Sequence, residues 1–96
     1  MDFKIRFSEP ALADFESVLE YCWTNFSFTA ERFGNSLLNH IEILSAFPRM
    51  GVHVRDRPGI RKIFHSPYTI YYRVEDRLQL VEILHIWHGS RRKPDL

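Results

Sequence analysis

Residues 60–92, IRKIFHSPYTIYYRVEDRLQLVEILHIWHGSRR, decide the fold. The stretch holds three β-type runs and two turns. Ile60–His65 is the first run, and Ser66-Pro67 marks a turn. In the second, Ile70, Tyr72 and Val74 alternate with Thr69, Tyr71 and Arg73, the two-residue period of a strand with one buried face. Glu75-Asp76-Arg77 makes the next turn. The last run, Leu78 to Trp87, is apolar on both faces, with Leu80, Leu84 and Ile86 on one and Val81, Ile83 and Trp87 on the other. A strand apolar on both sides belongs inside a sheet.

The segments before this stretch supply its cover. Phe3, Ile5 and Phe7 alternate with Lys4 and Arg6, a short half-buried strand. Ser8 is placed to cap a helix, with Glu9 and Pro10 in the first turn, where an acid meets the helix dipole and proline has no amide to lose. Leu12, Phe15, Leu19, Cys22 and Phe26 then recur at steps of three and four, which predicts an amphipathic helix of about 17 residues. Asn25 to Thr29 breaks it, and Ser27 or Thr29 offers the next cap. Ala30, Phe33, Leu37, Ile41 and Leu44, widened by Gly34 and Leu38, predict a second helix that Pro48 ends. Two such helices form an antiparallel hairpin whose apolar seams need a sheet to pack on. Residues 49–59, rich in glycine, proline and arginine, read as a mobile basic loop. The expected architecture is α+β: an N-terminal strand, then an αα-hairpin packed on one face of a mainly antiparallel sheet, in the order β-α-α-β-β-β.

At 96 residues the chain is one domain, residues 1–96, and its 45% hydrophobic content suits a packed core, not a disordered segment. The single cysteine, Cys22, excludes an internal disulfide. No apolar run has the length of a signal peptide or a membrane span, so a cytoplasmic location with no membrane partner is expected. The net charge of +1 hides a division: residues 1–48 carry three Lys/Arg against seven Asp/Glu, and residues 49–96 ten against five. Such asymmetry points to an anionic partner on the basic half.

The chemistry-bearing residues gather near the C-terminus. A histidine titrating near neutrality beside arginines suits general acid/base work on a phosphodiester, the arginine stabilising charge on phosphate. His85, His88, Arg91 and Arg61 are the candidates. The plainer reading is that His85 packs on Trp87 and His88 caps a turn after Gly89. In strand geometry the two histidines point to opposite faces about 10 Å apart, so no shared metal is expected. Tyr72 shares a face with Ile70 and Val74 and reads as core. Tyr71 and Arg73 face the side the helices leave open, where aromatic and basic residues suit stacking and phosphate contact. Arg61, Lys62 and His65 on the neighbouring strand add positive field, as does Arg92 at the exit. No P-loop, dinucleotide fingerprint or nucleophile elbow occurs, and no cofactor is expected.

The order of elements and the residues in them resemble the RelE/ParE toxin superfamily over nearly the whole chain. The resemblance rests on FKIRFS (residues 3–8), ERFGNSLLNHIEILSAFPRMG (31–51), RKIFHSPYTIYYRV (61–74) and VEILHIWHGSRR (81–92). It implies a toxin of a type II toxin–antitoxin module, of the plasmid-stabilisation kind, held silent by a cognate antitoxin in a hetero-oligomer. RelE-like members act as mRNA interferases on the ribosome, whereas ParE-like members inhibit DNA gyrase. The ending His88-Gly89-Ser90-Arg91 is similar to the ParE-like one, although Arg92 stands where an acid often follows. The lysine-rich strand of the RelE-like nucleases is reduced here to Lys62. Arg61, Tyr72 and Arg73 fall where both branches tend to place similar residues.

Overall fold

The computed structural model describes residues 2–25 and 29–96. Strand β1 (Lys4–Phe7) leads into helix α1 (Glu9–Asn25) and helix α2 (Ala30–Ala46). Strands β2 (Val52–His53), β3 (Ile60–His65), β4 (Tyr68–Glu75) and β5 (Leu80–His88) follow, with a short 3₁₀ turn at Asp76–Leu78 before β5. They form one sheet in the order β1-β5-β4-β3-β2, antiparallel except where β1 runs parallel to β5. The expected α+β arrangement is present. The 49–59 segment departs from it: it holds the edge strand β2 and is pinned, with Val54 buried and bonded through its N–H to Ile60 O at 2.9 Å.

Both helices pack on one face of the sheet. Ser8 caps α1 as expected, its Oγ accepting the Ala11 N–H at 3.2 Å. The buried seam of α1 is Ala11 and Val18, with Phe15 and Cys22 half-buried against the core, while Leu12 is 48% exposed. The apolar stripe is thus rotated by about one residue from the one expected. Phe26 and Ser27 lie outside the described residues. On α2 the buried seam is Ala30, Gly34, Leu37, Ile41 and Leu44. Gly34 lets the helices approach closely: a Cβ there would lie 2.8 Å from Leu19 Cδ2. No helix among the described residues is long and apolar enough to cross a membrane.

A β-bulge in β5 sets which side chains face the helices. Tyr71 pairs with His85 but Tyr72 with Ile83, so Leu84 is an extra residue. Strict alternation would separate Ile83 from Ile86; the bulge returns both to the core, at 0% and 3% exposure, and leaves Leu84 half-buried. Reading across the registers, Arg61–Tyr72–Ile83, Ile63–Ile70–Ile86 and His65–Tyr68–His88 face the helices. Ile60–Arg73–Glu82, Lys62–Tyr71–His85 and Phe64–Thr69–Trp87 face the other way. The hairpin between β3 and β4 turns at a cis Ser66-Pro67 peptide.

Candidate functional site

β1 pairs β5 only as far as Ile83, so the edge of β5 beyond it is open to the start of α1. The Ser8 N–H donates to Ile83 O at 2.9 Å and Ser8 Oγ to Leu84 O at 3.1 Å. Asp14, nearly two turns further on, takes two donors on one oxygen: the Ile86 N–H at 3.0 Å and His85 Nδ1 at 2.9 Å. The carboxylate can only accept, so His85 carries its proton on Nδ1. His85 also meets Trp87 edge-on at 5.4 Å between centroids. It is an anchored side chain that ties α1 to β5.

His88 ends the strand in the opposite tautomer. The Ser90 N–H donates to His88 Nδ1 at 3.1 Å and Ser90 Oγ lies 2.7 Å from the same atom. A ring nitrogen that accepts a backbone N–H holds no proton of its own, so neutral His88 presents Nε2–H outward. The Gly89 N–H bonds Pro67 O at 2.8 Å, fastening this end of β5 to the β3–β4 turn. Tyr68 packs edge-on against His88 at 5.4 Å. The Arg91 guanidinium stacks 4.0 Å from the centre of the Trp87 ring, and Trp87 Nε1 donates to Arg92 O at 2.6 Å.

A cleft of about 190 Å³ lies beside His88 and Arg91, with Asp14, Ser17, Tyr21 and Tyr68 also around it. Burial pushes the Tyr68 phenol up, and nearby Cys22 and Tyr21 push it the same way, so it stays protonated. Arginine, phenol hydroxyls and an imidazole Nε2–H supply donors on this rim, beside the Asp14 carboxylate that His85 and the Ile86 N–H already engage. Asp14, Ser17 and Tyr21 were not picked out by the sequence reading. The helical pattern placed Asp14 off the apolar seam of Leu12, Phe15 and Leu19; the rotation of that seam onto Ala11 and Val18 brings Asp14 to the edge of β5.

The remaining candidates lie elsewhere. Arg61 pairs with Tyr72, four residues along β4 from the partner of His88, about 13 Å away at strand rise. Its Nη1 donates to Gly51 O at 2.8 Å and Arg49 O at 3.2 Å, while Arg49 pairs with Asp76. Arg61 therefore holds the loop and does not join the rim. Arg73 Nε donates to Glu82 Oε1 at 2.9 Å, and Arg6 takes the other carboxylate oxygen at 2.9 Å. Lys62 reaches over the exposed Phe64 ring at 5.5 Å, and the Arg92 side chain is exposed.

Tyr71 needs correction as a stacking platform. It lies on the face away from the helices but is 6% exposed, and burial pushes its phenol up. The C-terminal segment lies over that face: Pro94 is buried, and Asp95 and Leu96 border Arg73, Leu84 and His85. His65 also adds no positive field. Burial first, and then neighbouring His40, hold its pKa below the ordinary imidazole value, so it is neutral at pH 7.

An α+β toxin-like sheet with a basic C-terminal rim defines the class, and comparison with known proteins places the chain within it. The profile of the ParE toxin of type II toxin–antitoxin systems, parDE, matches residues 5–93, and the chain belongs to that family. The chromosomal ParDE toxin–antitoxin system of P. aeruginosa superposes with a TM-score of 0.78 at 16% identity, over 92% of this chain and 97% of that one. The RelBE2 toxin–antitoxin complex of Mycobacterium tuberculosis gives 0.64 at 22% identity, covering 92% and 99%. The isolated E. coli RelE toxin gives 0.63 at 23% identity, covering 95% and 88%. No curated protein sequence matches.

Proposed function

We propose that this chain is a ParE-like toxin that inhibits DNA gyrase without catalysing a reaction, and that a cognate antitoxin silences it in a hetero-oligomer. The observation that carries this reading is the dispersal of the nuclease candidates. Arg61 is bound to loop carbonyls and His85 to Asp14, so of the four only His88 and Arg91 share a cleft. Ribosome-dependent cleavage needs a base, an acid and cations converging on one phosphate. An inhibitor needs an exposed surface of suitable charge, and the Trp87–Arg91 stack with Arg92 beside it is one. The family match and the antitoxin-bound relatives support the toxin role and the antitoxin partner.

The test pairs two assays on the purified protein. Supercoiling by gyrase should fall with added toxin, Arg91→Ala should need at least tenfold more protein, and ribosome-bound mRNA should stay intact. New mRNA 5′ ends that require ribosomes and vanish in His88→Ala, with supercoiling untouched, would replace this reading with the RelE-like one. Inactivity in both assays with unimpaired growth on expression would mark a degenerate member that binds antitoxin alone.

A further inference from the structure

Across Tyr68 from His88, in the same cross-strand row on the helix side of the sheet, His40 of α2 and His65 at the end of β3 bring their Nδ1 atoms to 2.8 Å. Neither residue belongs to the cleft around His88. Two further contacts fix the His65 ring. Phe33 meets it edge-on at 5.6 Å between centroids, and Ser36 Oγ lies 3.3 Å from its Nε2. The Ser36 hydroxyl can donate to or accept from that nitrogen; where it accepts from Nε2–H, His65 Nδ1 is a bare lone pair facing His40. A single proton, on His40 Nδ1, then joins the two rings.

We propose that His40 and His65 form a site for a divalent late transition metal, each supplying Nδ1, with Cu²⁺ the preferred occupant. The proton that joins the rings is released to solvent, and the rings turn so that both lone pairs meet on the ion, which sits about 1.5 Å to the side of the N–N line. Metal–imidazole bonds are about 2.0–2.1 Å long, so cis ligands at a right angle sit roughly 2.9 Å apart and tetrahedral ones roughly 3.3 Å. The observed 2.8 Å matches the right angle of square-planar or tetragonal Cu²⁺ and Ni²⁺ sites. Imidazole suits these ions, and Cu²⁺ stands highest in the affinity order. Ser36 occupies the place of the hydrogen-bond acceptor that orients metal-bound histidines through their second nitrogen. Among the described residues no third His, Cys, Asp or Glu completes a cluster, so water fills the other positions. The site is therefore open, and weaker than a closed four-ligand one. Because its ligands come from a helix and a strand, the bound ion fastens α2 to β3 and stabilises the fold.

The experiment titrates the metal-free full-length chain with Cu²⁺ near neutral pH, followed by calorimetry, electron paramagnetic resonance and thermal melting. One ion should bind at this site with coupling to two imidazole nitrogens, and the melting temperature should rise. His40→Ala, a change at a half-exposed position, should weaken binding at least tenfold and abolish the rise. Ser36→Ala should weaken it several-fold, and His53→Ala should leave it unchanged. His65→Gln, checked for folding by circular dichroism, should repeat the His40→Ala result. If His40→Ala binds Cu²⁺ with wild-type affinity and an unchanged two-nitrogen signal, the proposal is wrong. Equal loss in His53→Ala and His40→Ala would likewise overturn it, since the ion would then be bound non-specifically.

Discussion

Glu82 sits between Arg6 and Arg73, each 2.9 Å away, with its own side chain 13% exposed. Burial alone would push the carboxyl up, but the hydrogen bonds and charges of the two arginines outweigh it and hold the pKa below the usual range. The unfolded chain therefore takes up this proton first. Stability from the group is full above the unfolded value of about 4.3 and declines as pH falls through it toward the lower folded value. Both arginine side chains are more than half exposed, so screening limits the contribution to less than about 1 kcal/mol. The urea midpoint should fall between about pH 6 and pH 3, and fall less steeply in Glu82→Gln. Parallel pH profiles for the two proteins would show that the triad contributes nothing. Arg6 and Arg73 were visible as outward positions on predicted strands, whereas Glu82 lay in a run read as apolar on both faces. Their meeting was not visible, because it requires β1 to lie parallel beside β5, a pairing between residues far apart in sequence that no local pattern encodes.

Among the elements, β5 shows where pattern reading stops. Its interior place was legible from an apolar run with no polar face, and the start of α1 was legible from Ser8-Glu9-Pro10. The bulge at Leu84 was not, since the extra residue is as apolar as its neighbours, yet it changes the partner of every residue beyond it. The loop before β3 misled for a similar reason: Arg49, Gly51 and Pro58 read as an open connector, whereas Arg61 and Tyr72 reach back to hold it. The Tyr72 hydroxyl accepts the buried Gly51 N–H at 2.9 Å. At the bulge, the edge of β5 depends on Asp14, which satisfies the Ile86 N–H and fixes His85. Asp14→Ala leaves a part-buried amide and an imidazole without that acceptor, at a cost of about 1–3 kcal/mol. Asp14→Asn keeps one carbonyl oxygen and should recover part of it. The measurement is the urea midpoint at constant slope, and a midpoint for Asp14→Ala equal to wild type would mean that α1 docks without this clasp.

Over the whole molecule, the acidic half supplies β1 and the two helices on one face of the sheet, and the basic half supplies β2 to β5, whose other face neither helix covers. That second face is not bare. Lys93 Nζ reaches Arg55 O at 3.5 Å, Pro94 is buried, and Asp95 and Leu96 border a hollow of about 590 Å³ with Arg73, Leu84 and His85. Tyr71 lies on this face between Lys62 and His85, and its 6% exposure needs a cover that neither helix provides. The segment at 94–96 is placed to be that cover. Nitration mapped by mass spectrometry tests this with internal controls. In the full chain, exposed Tyr21 should react while Tyr71 and Tyr72 stay protected. In a chain ending at Lys93, Tyr71 should become several-fold more reactive and Tyr72, on the helix side, should not change. The selectivity separates local uncovering from general loosening, which would raise both. Protection of Tyr71 that survives the truncation would mean that its strand neighbours bury it unaided, and that the basic face is closed at its centre whatever the tail does.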